Sequence, residues 1–286
     1  MVEKMQIVLS RYEVAPLAKA HASGEHSAEI SPDLGLSRVR VELTGDGVVF
    51  PGGEKLDWEL VDEIAHSQTK CFLLDGEELS EIRVFSELTG RVCSLYPTGG
   101  APTMVIGGFP MHRIKGTDPY KDTLEKIRAA APIVGRVLDT TTGLGYTAIE
   151  AARSPLCTEV ITIELDPGSL EIARRNPWSR ELFSNPKITQ VVGDSFDVIQ
   201  SFADGRFTRI IHDPPTFSLA GDLYSGSFYR ECYRVLAHGG RMFHYVGNLE
   251  SSAGSTVSRG AIKRLKEAGF ERVVPKSQAF GVVAYK

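Results

Sequence analysis

The chain has 286 residues, 42% hydrophobic and 24% charged, which is ordinary globular usage with enough apolar side chain for a substantial core. No apolar run approaches the roughly 20 residues that span a bilayer, and the start, MVEKMQIVLSRYE, has no cleavage site, so neither a membrane span nor a secretory leader is expected. Four cysteines (Cys71, Cys93, Cys157, Cys232) form no C-x-x-C pair, which argues against a metal site or disulfides and for a reducing cytoplasm. The net charge of −4 divides unevenly, with 11 Lys and Arg against 17 Asp and Glu in residues 1–115, and 21 against 19 in residues 116–286. The acidic first part counts against a broad phosphate-binding footprint.

The pattern changes near residue 115, which separates a β-rich domain, 1–115, from an α/β domain, 116–286. In the first, Val39, Val41 and Leu43 alternate with polar residues, and Gly45-Asp46-Gly47 turns the chain into Val48-Val49-Phe50, a hairpin. Asp57–His66 reads as a single helix, followed by strands at Lys70–Leu74, Ile82–Phe85, Val92–Tyr96 and Met104–Ile106. Beyond residue 116, apolar strands at Arg136–Thr140, Glu159–Leu165, Ile188–Gly193, Arg209–Asp213 and Arg241–Val246 alternate with helical stretches. Such alternation means βαβ units and a parallel sheet covered on both faces. Thr256–Ala268 reads as a helix, then Arg272–Pro275 and Gly281–Tyr285 as strands. Only Lys276–Phe280 separates those two, too short for a crossover helix, so they are expected to pair antiparallel.

Acids recur where these strands end. Asp139 precedes a small-residue turn in which Gly143 and Gly145 let backbone approach a ligand closely. An acid there suits an ammonium and would repel a pyrophosphate. Gly143-Leu144-Gly145-Tyr146-Thr147-Ala148 also fits the dinucleotide fingerprint, with Glu164 about 20 residues on, so a nicotinamide enzyme stays open on this segment alone. Glu164 can accept from ribose hydroxyls, and Asp194 from an exocyclic adenine amine with Ser195 and Phe196 beside it; a helix N-cap is the competing role of Asp194. Asp213-Pro214-Pro215-Thr216-Phe217 is the most informative. Two prolines remove backbone donors and fix an extended loop, which brings a carboxylate, bare carbonyls and an aromatic face together.

The series resembles the class I S-adenosylmethionine-dependent methyltransferases over residues 116–286. Asp139, Gly143 and Gly145 match that family's D-x-G-x-G-x-G motif, with Thr141 where its first glycine is usual. Glu164 matches its ribose-binding acid, Asp194 its adenine-side acid, and Asp213–Phe217 its [DN]-P-P-[YFW] loop with one residue inserted. The whole chain is most similar to uncharacterised archaeal methyltransferases. The resemblance implies a Rossmann-like seven-stranded sheet with a terminal antiparallel hairpin, preceded by the smaller β-rich domain. It also implies S-adenosyl-L-methionine as cofactor, held by Asp139, Thr141, Gly143, Gly145, Glu164, Asp194, Ser195 and Phe196. Asp213, Pro214 and Phe217 are the expected catalytic residues, acting on an exocyclic base amine, cytosine or guanine, in structured RNA. The N-terminal domain is expected to select the substrate or to pair two copies as a homodimer.

A second resemblance competes. Leu223–Leu236 is similar to a helix of spermidine-synthase-like aminopropyltransferases, and an acidic first part suits a polyamine. That family's paired acids are replaced here by Asp213-Pro214-Pro215-Thr216, which favours methyl transfer. His21 and His26 lack a ligand pattern, His112 and Arg113 lie in the segment entering the second domain, and His244 reads as packed or surface. Arg259, Lys263, Arg264 and Lys266 read as a solvated helix face.

Overall fold

The computed structural model describes residues 6–217 and 219–286, without the side chains of 252–255. The reading of the chain's start rests partly on residues 1–5, which lie outside the described residues. The chain divides into two compact units, Met1–Tyr120 with Gly168–Arg180, and Lys121–Pro167 with Glu181–Lys286.

The first unit runs β1 (Ile7–Leu9), α1 (Arg11–Ala22), β2 (Ser27–Ile30), β3 (Val39–Leu43), β4 (Gly47–Val49), β5 (Lys55–Asp57) and α2 (Trp58–His66). It continues with β6 (Phe72–Asp75), β7 (Glu78–Glu81), β8 (Arg83–Ser86), β9 (Arg91–Tyr96), β10 (Thr103–Ile106) and β11 (Phe109–Pro110). These form three antiparallel sheets, β1-β6-β7, β2-β3-β4-β5 and β8-β9-β10-β11. The alternation at Val39–Leu43 builds the expected hairpin, with Leu43 opposite Val48. A single helix was expected, but α1 is a second. Pro16 obscures it in the sequence, yet Ser10 and Glu13 close a capping box at its start. Its apolar face, Val14 and Leu17, packs with Ile7, Val41, Leu56 and Ile64 into the core.

The rest of the chain runs α3 (Pro119–Ala130), β12 (Gly135–Asp139), α4 (Tyr146–Ala152), β13 (Cys157–Glu164), α5 (Pro167–Arg175), α6 (Arg180–Ser184) and β14 (Ile188–Val192). Then follow α7 (Ser195–Val198), β15 (Phe207–His212), α8 (Gly226–Val235), β16 (Leu236–Tyr245), α9 (Ser252–Glu267), β17 (Arg272–Lys276) and β18 (Gly281–Tyr285). The seven strands lie in the order β14-β13-β12-β15-β16-β18-β17. The first five are parallel, and β18 runs antiparallel to both its neighbours. This is the expected Rossmann-like sheet with its terminal hairpin. Its central strands are buried on both faces, with Leu138, Ile210, Phe207 and Met242 fully enclosed against Phe228 of α8, while the edge strand β14 is partly exposed. The strand order reverses between β12 and β15, the crevice where open α/β sheets take their ligands. Asp139 and Glu164 close β12 and β13, and Asp213 follows β15. Among the described residues, no helix is long and apolar enough to cross a membrane.

Candidate cofactor and acceptor site

Asp139 is fully buried at the end of β12. Its Oδ2 accepts from Thr162 Oγ1 at 2.9 Å and from Thr147 Oγ1 at 3.2 Å, while Oδ1 is buried with no hydrogen-bond partner. Burial pushes this carboxyl up to about 8; the two threonine hydroxyls work against that, and the Asp213 and Glu164 charges add to it. A buried acceptor without a donor is costly, and its retention fits a ligand that brings an N–H. Gly143 and Gly145 follow with φ of +53° and +76°. A Cβ on Gly145 would meet Leu182 Cδ2 at 2.7 Å, whereas one on Gly143 would find nothing within 4 Å.

Glu164 braces this turn. Its Oε2 accepts from the Gly143 amide at 2.8 Å and its Oε1 from the Asp166 amide at 3.1 Å. Burial pushes its carboxyl up to about 7 against those amides. Each oxygen keeps acceptor capacity for a ribose hydroxyl. The residues after β14 have local partners. Asp194 caps α7, its Oδ1 accepting from the Phe196 amide at 2.8 Å. Ser195 donates its hydroxyl to the Thr140 carbonyl. Phe196 packs on the core, its ring stacked at 6.3 Å from that of Phe228. The N-cap is thus the role the geometry displays for Asp194, and its position near a bound purine is carried only by the resemblance.

The loop after β15 is held at several points. Thr141 Oγ1 donates to the Asp213 carbonyl at 2.8 Å, so the residue that departs from the glycine motif links the two loops. Tyr224 Oη donates to the Pro215 carbonyl at 3.0 Å. Asp213 Oδ2 accepts from Lys126 Nζ at 2.6 Å, and the same ammonium lies 2.8 Å from Asp122 Oδ2 and 4.8 Å from the centre of the Tyr245 ring. Burial works against the Lys126 charge, but the Asp213 and Asp122 carboxylates outweigh it, and its pKa lies above the ordinary lysine value. Pro214 is buried, and Phe217 is 56% exposed with its edge toward Tyr224. The expected catalytic residues therefore divide between a clamped carboxylate, a buried proline and a solvent-facing ring.

Behind the loop lie two buried histidines. The Leu223 carbonyl, 2.9 Å from His212 Nε2, requires the proton on that nitrogen, so Nδ1 accepts from the Thr140 hydroxyl at 2.7 Å. Burial pushes His212 down to about 3 and His244 well below its ordinary value, so both are neutral. His244 is packed, with the Tyr229 hydroxyl 2.8 Å from its Nε2. Arg264 belongs only in part to a solvated face, because its Nε donates to the Tyr224 carbonyl at 2.8 Å. His21 stacks on Trp58 at 3.8 Å. Lys126 and Asp122 were missed at the sequence level, where a lysine four residues after an aspartate reads as a surface pair.

Comparison with known proteins bears on the same region. The family described as "Methyltransferase domain" matches residues 138–244. The chain is 39% identical to an uncharacterised protein of Methanocaldococcus jannaschii, across 100% of this chain and 99% of that one. Over 140 residues it is 25% identical to putrescine N-methyltransferase 4 of Nicotiana tabacum, covering 48% of this chain and 36% of the relative. Spermidine synthase from Thermotoga maritima shares the fold, with a TM-score of 0.56 at 16% identity over 73% of this chain and 75% of that one.

Proposed function

This chain belongs to the class I S-adenosylmethionine-dependent methyltransferases, and on that footing we propose that it N-methylates the exocyclic amine of a cytosine or guanine in structured RNA. S-adenosylmethionine supplies a methyl group already activated on a sulfonium. The residues present fit it. The orphaned Asp139 Oδ1 offers an acceptor for its ammonium, Glu164 offers acceptors for its ribose hydroxyls, and the glycine turn leaves room for its approach.

The observation that carries the acceptor assignment is the Asp213-Pro214-Pro215 loop, whose carboxylate is already paired with Lys126. An aromatic amine is a weak nucleophile because its lone pair is shared with the ring. N–H groups donated to the Asp213 carboxylate and the Pro214 carbonyl would localise that lone pair and stabilise positive charge arising on nitrogen. An aliphatic ammonium needs a base to deprotonate it, and Thr216 stands where a second acid would be. The exposed Phe217 ring gives a base a face to stack on. The base must be unpaired or flipped out to reach the loop, which favours a structured RNA with an open segment.

The test is incubation with tritiated S-adenosylmethionine and total RNA from cells lacking this protein, followed by nucleoside analysis. Label in N-methylated cytidine or guanosine supports the reading. Protein that binds cofactor but labels no RNA removes it. A second reading, aminopropyl transfer to a polyamine, is favoured by the similarity of Leu223–Leu236 and the excess of acids in residues 1–115. It predicts methylthioadenosine from decarboxylated cofactor, a product that methyl transfer never forms.

A further inference from the structure

The buried Lys126 lies outside the loop motif, yet its ammonium is 2.6 Å from Asp213 Oδ2. Helix α3 presents Asp122 and Lys126 one turn apart, with side-chain exposures of 0% and 2%. A lysine enclosed this completely is retained only where its charge is fully matched. Here it lies between the carboxylate of Asp122, four residues before it, and that of Asp213, 87 residues after it, and against the Tyr245 ring. Thr141 meanwhile fixes the Asp213 main chain. Asp213 is thus held at its backbone by the cofactor loop and at its carboxylate by α3.

We propose that Lys126 is a positioning residue for the acceptor, holding the Asp213 carboxylate ionised and in one orientation so that it receives the amine N–H. A carboxylate has about four lone-pair sites, so the ion pair leaves it capacity for a further donor. Without the cation, Asp213 would share its surroundings with the acids Asp122 and Asp139, with the neutral Tyr224 phenol also close by. The two acids disfavour a further charged carboxylate, and Asp213 would take up a proton and offer the amine a donor where an acceptor is needed.

This inference rests on the proposed methyl transfer to RNA, so a wild-type protein that methylates no RNA sinks both. Given wild-type activity on that RNA, Lys126→Met should lower kcat about 100-fold with little change in KM for S-adenosylmethionine. It should also move the acid limb of the rate–pH profile to higher pH. Lys126→Arg should recover at least a tenth of the wild-type kcat with the limb restored. In the Asp213→Asn background, adding Lys126→Met should cost less than 3-fold further, because Lys126 acts through Asp213. Lys126→Met with Asp122→Leu leaves no uncompensated acid on α3 and should show the same upward limb. A folded, cofactor-binding variant with wild-type kcat and an unmoved limb overturns the inference. So does failure of both lysine-less variants to fold, which would make Lys126 a residue of the fold alone.

Discussion

Cofactor affinity should depend steeply on pH, and Asp139 sets the slope. Its carboxyl titrates near 8 in the ligand-free protein because burial outweighs the Thr162 and Thr147 hydroxyls. At pH 6 only about 1% is ionised, and an ammonium ligand needs the ionised form, so affinity should fall about tenfold per unit below pH 8, or roughly 100-fold by pH 6. Glu164, near 7, steepens the fall at its lower end. Calorimetric titration with S-adenosylhomocysteine, which keeps the ammonium, would be run on the wild type and Asp139→Asn from pH 6 to 8. The wild type should bind more tightly as pH rises, and the variant should bind weakly with only the shallower slope that Glu164 leaves. The same shift acts on stability. A carboxyl at 3.8 in the unfolded chain and near 8 in the fold contributes stability that is fully present below pH 4 and is lost as pH rises to 8. The ligand-free wild type should therefore lose melting temperature over that window and regain it with ligand. Wild-type affinity that stays flat between pH 6 and 8 would refute the role given to Asp139.

Other substitutions separate the parts of the site. Gly145→Ala places a Cβ 2.7 Å from Leu182 at a φ of +76° and should cost about 1–3 kcal/mol, read as a lower denaturant midpoint. Asp213→Asn should lower methyl transfer at least about 100-fold while S-adenosylhomocysteine binds at least as tightly as to the wild type, because the Asp213 charge helps to raise Asp139. Thr141→Val removes the donor to the Asp213 carbonyl, worth about 1 kcal/mol, and should slow transfer roughly fivefold without unfolding the protein. Phe217→Ala should raise KM for RNA about 10-fold and leave cofactor affinity unchanged, as loss of one stacking contact implies.

The α/β sheet was legible because its strands are buried on both faces, so Val137-Leu138 and Val160–Ile163 stand out as apolar runs ending in acids. The acids at those ends were equally legible, since position in a βα unit is a local property. What escaped depends on contacts distant in sequence. The N-cap role of Asp194 is a local alternative that the sequence already offers, whereas only the packed structure shows the bond of Ser195 to Thr140 and the contact of Phe196 with Phe228. Helix α3 carries Asp122 and Lys126 on its buried side, so the usual rule that charges mark the solvent face conceals both its orientation and its importance. The partner that explains the lysine comes from the far side of the domain's sequence, and no local pattern announces it.

The two turn glycines invite different uses at the bench. A methyl at position 145 strikes Leu182, so the damage falls on the scaffold. At position 143 it would project into empty space at the mouth of the turn, against only the modest backbone penalty of a φ of +53°. Gly143→Ala should therefore yield a folded protein in which the added methyl obstructs close approach of the cofactor to this turn while the Asp213 loop stays intact. Such a protein could capture its acceptor and never turn it over, a bait for recovering the natural substrate from a cell extract.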